Sequence, residues 1–86
     1  MPVISSFYGI IIYIFFEDHN PPHFHAKYNE YEALVSIDSF GIIKGHLPGK
    51  AMALVVEWAI QHKEELMKDW DLAKQNKVLN KIDPLK

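Results

Sequence analysis

Hydrophobic and polar positions along this chain fall into two regimes, a strand-like pattern in the first half and a spacing of three and four in the second. From Phe7 to Phe16 the residues are Phe-Tyr-Gly-Ile-Ile-Ile-Tyr-Ile-Phe-Phe, apolar at both parities and dense in β-branched and aromatic side chains. Such a run suits a strand covered on both faces, so it is expected near the centre of a sheet. Glu17 to Pro22 reads as a turn-rich connection, with two prolines that fix φ and should stiffen and extend Asn20 to Pro22. His23-Phe24-His25-Ala26-Lys27-Tyr28 then alternates. In a strand, His23, His25 and Lys27 share one face while Phe24, Ala26 and Tyr28 share the other.

Asn29-Glu30 predicts a tight reversal into a third strand, Tyr31 to Asp38, because Asn tolerates the left-handed conformation that such turns need. Pairing Tyr28 with Tyr31 sets Ala26 opposite Ala33 and Phe24 opposite Val35 on one side. Lys27 then meets Glu32, His25 meets Leu34 and His23 meets Ser36 on the other. The apolar residues fall together without adjustment. Ser39-Phe40-Gly41 reads as a turn and Ile42 to Leu47 as a short fourth strand broken by Gly45, with His46 an exposed strand end.

Pro48-Gly49 opens a long helix, without a Ser, Thr or Asp cap ahead of it. Ala51, Leu54, Val55, Trp58, Ala59, His62, Leu66 and Trp70 form its apolar stripe, and Glu57, Gln61, Glu64, Glu65, Lys68 and Asp69 lie mostly outside it. Trp58 and Trp70 are core anchors and His62 a satisfied boundary residue. Asn76 to Lys86 is expected to be an extended tail. The pattern predicts an α+β fold: a small, mainly antiparallel sheet of three to four strands with one long helix packed on one face.

At 86 residues the chain, 1–86, is read as a single domain with one modest core. It has no cysteine, which excludes a disulfide framework and a thiolate metal site. A net charge of −2 argues against bulk electrostatic binding to nucleic acid. Without a basic leader or an apolar run approaching the roughly 20 residues of a membrane span, a cytoplasmic protein with no membrane partner is expected.

Candidate chemistry gathers in Asp18-His19-Asn20-Pro21-Pro22-His23-Phe24-His25, which holds three of the five histidines. Imidazoles two residues apart on a strand stand about 6 to 7 Å apart on one face, close enough to converge on a divalent ion such as zinc. Asp18 or His19 would complete the ligand set of Asp18, His19, His23 and His25. Alternatively, His19, His23 and His25 with Lys27 would be catalytic without metal, serving as base and acid while the lysine steadies a phosphate of an RNA target. A third possibility differs in class. Tyr13, Phe15 and Leu34 with the histidines would form a patch for a protein partner, or an edge strand would accept a partner or a second copy in a homo-oligomer. Against all three stands a structural role, with the histidines ordering a loop through backbone carbonyls and Asp18 capping its turn.

Met1-Pro2-x-Ile4-Ser5, Phe7-x-Gly9-Ile10-Ile11-Ile12, Asp18-His19-x-Pro21-Pro22-His23-Phe24-His25, Tyr31-Glu32-Ala33 and Ala51 to Trp58 together resemble the bacterial family named domain of unknown function four-one-six-zero. The likeness covers nearly the whole chain and departs at Asn29, where relatives often carry Gly. It implies a gene encoded beside a second small protein and the toxin half of a toxin-antitoxin pair, with an antitoxin-like partner. It implies no established reaction.

Overall fold

The computed structural model describes residues 2–86; Met1, which opens the first of those motifs, lies outside the described residues. Five strands, β1 (Val3–Phe7), β2 (Ile10–Tyr13), β3 (His23–Tyr28), β4 (Tyr31–Ser36) and β5 (Ile42–His46), precede two helices, α1 (Gly49–Gln61) and α2 (Lys63–Lys74). The strands form one antiparallel meander in chain order, β1-β2-β3-β4-β5. The α+β expectation holds. The sheet, however, has five strands rather than three or four, and there are two helices rather than one.

The extra strand comes from dividing the Phe7 to Phe16 run. Tyr8 and Gly9 both adopt positive φ, 49° and 79°, as a two-residue hairpin turn requires, so the chain reverses where a single central strand was expected. β1 becomes an edge and β3 takes the centre. Ile10 and Ile12 still enter the core, and Tyr13 turns to the opposite face. The β3–β4 hairpin has the predicted register in all six pairs, and Asn29 stands at φ 54°.

Phe24, Ala26, Ala33 and Val35 are fully buried, and Ala51, Val55, Trp58 and Ala59 of α1 close over them. The helix break falls at His62, with φ −127° and ψ 24°. No proline or glycine causes it. Glu64 and Glu65 occupy the first turn of α2, where carboxylates favour a helix start, and His62 Nδ1 donates to Glu65 Oε1 at 2.6 Å. The bend directs Leu66, Trp70 and Ala73 into the core, along with Asp69, which the periodicity had placed outside.

The tail is extended, as expected, and closes the β1 side. Ile82 N–H donates to the Ile4 carbonyl at 2.8 Å, and Trp58 Nε1–H donates to the Asp83 carbonyl at 2.8 Å. No described helix is long and apolar enough to cross a membrane.

Candidate functional site

Three elements converge on the face of the sheet opposite α1. β2 ends in Tyr13, β3 contributes His23 and His25, and β4 contributes Glu32. Between β2 and β3 the chain turns at Phe16-Glu17 and bends at Asn20-Pro21, whose peptide bond is cis, rather than running extended there. The turn fixes Asp18: its Oδ2 accepts the Phe15 N–H at 3.0 Å, and Lys74 of α2 donates to its backbone carbonyl.

Alternation in β3 puts both imidazoles on this face, with ring centroids 5.3 Å apart, yet each histidine is only 6 % exposed. Aromatic neighbours cover them. Tyr13 stacks on His25 at 4.8 Å, Phe15 meets His25 edge-on at 4.8 Å, and Trp70 lies 5.2 Å from His23. The open face foreseen for a binding patch is therefore partly filled by its own side chains.

Hydrogen bonds orient the two rings alike. His23 Nδ1 lies 2.9 Å from the Pro21 carbonyl, which can only accept, so Nδ1 carries the proton. His25 Nδ1 lies 3.2 Å from Glu32 Oε2. Both Nε2 atoms then face one carboxylate: Asp18 Oδ2 is 3.1 Å from His25 Nε2 and 3.6 Å from His23 Nε2. Ligating atoms of Asp18, His23 and His25 all lie within 4.8 Å of one another.

Glu32 also accepts a hydrogen bond from the Tyr13 hydroxyl. That bond, with His25 beside it, holds the Glu32 carboxyl below its ordinary range despite partial desolvation, while burial and the same carboxylate push the Tyr13 phenol up. A negative charge is thereby fixed behind His25.

Of the residues singled out from the sequence, Asp18, His23 and His25 come together. His19 is exposed and outside the ligand cluster, and Lys27 is exposed on β3 opposite Glu32. Paired acid-base catalysis needs two free imidazole nitrogens, and of the two buried rings only His23 offers one, at Nε2, whereas both nitrogens of His25 face carboxylates. Three donor atoms around one point, each ring steadied through its other nitrogen, can instead hold a cation.

The register pairs Glu32 with Lys27 as expected, and sequence reasoning missed that the Glu32 carboxylate also reaches His25. The signal was present, since Glu32 lies diagonally across the hairpin from His25, within reach of a long side chain. Trp70 and Lys74 could not be placed here from a helix read as straight.

Asp18 lines two surface hollows, one with Pro2, Phe15, Phe16 and Glu17 and the other with Phe16, Glu17, His19 and Lys74, so the cluster is approached from its carboxylate side. No curated protein and no solved structure matches the chain. Residues 9–71 match the family model described as "Domain of unknown function (DUF4160)", a stretch that contains β2 to β5, α1, most of α2 and all three converging residues. The chain therefore belongs to the DUF4160 family.

Proposed function

We propose that this chain is the toxin half of a two-gene module and that Asp18, His23 and His25 are its working centre. The observation that carries the reading is the convergence of both histidine Nε2 atoms on the Asp18 carboxylate. A loop ordered only for stability has no need of two buried imidazoles facing the same acid, because leaving a polar atom unpartnered there costs free energy. The hollows beside Asp18 give a small substrate or an extended strand access to that acid.

Inducing the chain alone in a growing bacterial culture tests this. Growth should stop with the unaltered chain and recover with Asp18→Ala or His23→Ala, whereas His46→Ala, at an exposed strand end, should remain inhibitory. A chain that leaves growth untouched, or an Asp18→Ala protein that is folded and equally inhibitory, overturns the reading.

One observation supports a second role, that of a protein-binding module. The two sheet edges differ: β1 is covered by the tail, whereas β5 is exposed at all five residues and pairs only with β4. A partner strand added to β5 would gain main-chain hydrogen bonds, and Lys44 and His46 would favour an acidic one. Co-purification of the neighbouring gene's product with the unaltered chain but not with Ile43→Pro would separate this role from the first.

A further inference from the structure

The pattern of lone pairs around Asp18 has a physical consequence. His23 Nδ1 is committed to donating to the Pro21 carbonyl, so in the neutral ring Nε2 presents a lone pair. That atom is buried and has no hydrogen-bond partner, and the carboxylate oxygen it faces, Asp18 Oδ2 at 3.6 Å, is another acceptor. His25 repeats the arrangement. Its Nδ1 faces Glu32 and its Nε2 lies 3.1 Å from Asp18 Oδ2 and 3.3 Å from Oδ1. When His25 keeps its proton on Nδ1, toward Glu32, lone pairs of three groups are turned toward one another in a site closed by Tyr13, Phe15 and Trp70.

Such an arrangement needs positive charge at its centre. A proton on His25 Nε2 satisfies that nitrogen and the carboxylate and leaves His23 Nε2 as it was. A metal ion accepts all three lone pairs. Ligand atoms of a tetrahedral site with bonds of about 2.0 Å stand roughly 3.3 Å apart; the two nitrogens lie 3.1 and 3.6 Å from Oδ2, and all three atoms lie within 4.8 Å of one another, so a bound ion would draw them slightly together. The outer hydrogen bonds fit as well. Histidines that bind metal through one ring nitrogen almost always donate the other N–H to a carbonyl or a carboxylate, and His23 and His25 show one of each.

We infer that Asp18 Oδ2, His23 Nε2 and His25 Nε2 form a binding site for one divalent transition ion of the zinc or cobalt kind, with a further coordination position open toward the hollows beside Asp18. Two imidazoles and one carboxylate, without thiolate, favour such borderline ions over calcium or magnesium, which take mainly oxygen. Glu32, held as an anion by Tyr13, adds negative charge behind His25 and raises its donor strength. Three protein ligands and an open position are what a catalytic site keeps, whereas structural sites close the fourth position with protein. This inference rests on the same three residues as the toxin reading and concerns what they hold.

Metal alone tests it, without any activity. Calorimetric titration of the purified full chain with Zn²⁺ should give one ion per chain, and Co²⁺ should develop the visible absorption of a low-coordinate site. Asp18→Ala, His23→Ala and His25→Ala should each weaken binding by more than the roughly 10- to 100-fold that losing an outer hydrogen-bond partner costs, and His19→Ala and His46→Ala should leave it unchanged. Since the alanine variants remove buried side chains, nitrogen NMR of the unaltered chain gives an independent readout. Zn²⁺ should shift Nε2 of His23 and His25 and leave their Nδ1 atoms protonated. The inference is overturned if the unaltered chain takes up no ion, if binding survives His23→Ala and His25→Ala, or if the shifts fall on His19, His46 or His62. Growth inhibition without metal uptake would refute this inference alone, and metal uptake without growth inhibition would refute the toxin reading alone.

Discussion

His25 lies flat against Tyr13, with ring centroids 4.8 Å apart and planes 13° from parallel, and both side chains reach the same Glu32 oxygen. Their register explains this: Tyr13 and His25 are direct cross-strand partners, and Glu32 sits one strand further on the same face.

Removing the hydroxyl should show what that contact contributes. A hydrogen bond to a charged acceptor contributes about 1.5 to 3 kcal/mol, and solvent screening at the half-exposed Glu32 lowers the expectation for Tyr13→Phe below that range, to about 1 kcal/mol. Glu32 is depressed in the folded chain, so its contribution is present above the carboxyl's unfolded value and lost as pH falls through the folded one. Urea denaturation of both proteins at pH 7 and again in acid should therefore show a gap that narrows on acidification. A gap constant with pH would mean the hydroxyl acts through packing alone.

Asp69 predicts the opposite slope. It is fully buried on α2, its Oδ1 accepts the Asn80 N–H at 2.8 Å, and its Oδ2 has no partner. Burial raises its carboxyl despite the Asn80 bond. A raised acid favours the folded state fully below its unfolded value, and that advantage is lost as pH rises through the folded one. Asp69→Asn keeps the acceptor and removes the charge, so its melting temperature should exceed that of the unaltered chain at pH 7 and match it near pH 3. Lower stability at pH 7 would show that the anion has a partner.

Legibility of the fold followed the locality of its causes. The β3–β4 register could be read because alternation there has a single solution that buries Phe24, Ala26, Ala33 and Val35 together. The β1–β2 turn could not be read with the same ease: Gly9 marked it, but Tyr8 at positive φ is an unusual turn residue inside an unbroken apolar run. The break at His62 has only the Glu64-Glu65 pair as a local sign, since its purpose is tertiary, bringing Trp70 onto His23. The site was legible to the same degree. A shared face for residues 23 and 25 follows from strand geometry, whereas the choice of Asp18 over His19 depends on how the turn at Phe16-Glu17 aims each side chain.

Gly45 tests the sheet edge. Its φ is 87°, and an added Cβ would stand 2.2 Å from the Glu32 carbonyl oxygen, a backbone atom that cannot move without disturbing β4. Left-handed strain for a non-glycine residue costs about 1 to 2 kcal/mol before the clash is counted, so Gly45→Ala should destabilise by at least about 2 kcal/mol. Because Glu32 is the residue displaced, the change should also weaken any ion held by His25. A stable Gly45→Ala protein with unaltered metal uptake would show that β5 peels away freely from β4.

Trp58 links the core to the tail, and the two contributions can be separated. Its ring is completely buried between Phe7 and Phe24, with centroids at 5.2 and 5.9 Å, and its indole N–H donates to the Asp83 carbonyl. Trp58→Ala should cost about 3 to 5 kcal/mol, as large aromatic truncations in cores do. Trp58→Phe retains much of the packing and loses the donor to the carbonyl of exposed Asp83, so the lost hydrogen bond costs about 0.5 to 1.5 kcal/mol. The tail holds the β1 edge through Ile82 and Lys81, so its release should be visible locally. Hydrogen exchange at Ile82 should accelerate in Trp58→Phe more than exchange at Ala26 or Ala33, in the centre of the sheet. Equal acceleration at all three would mean that tail and sheet open as one unit.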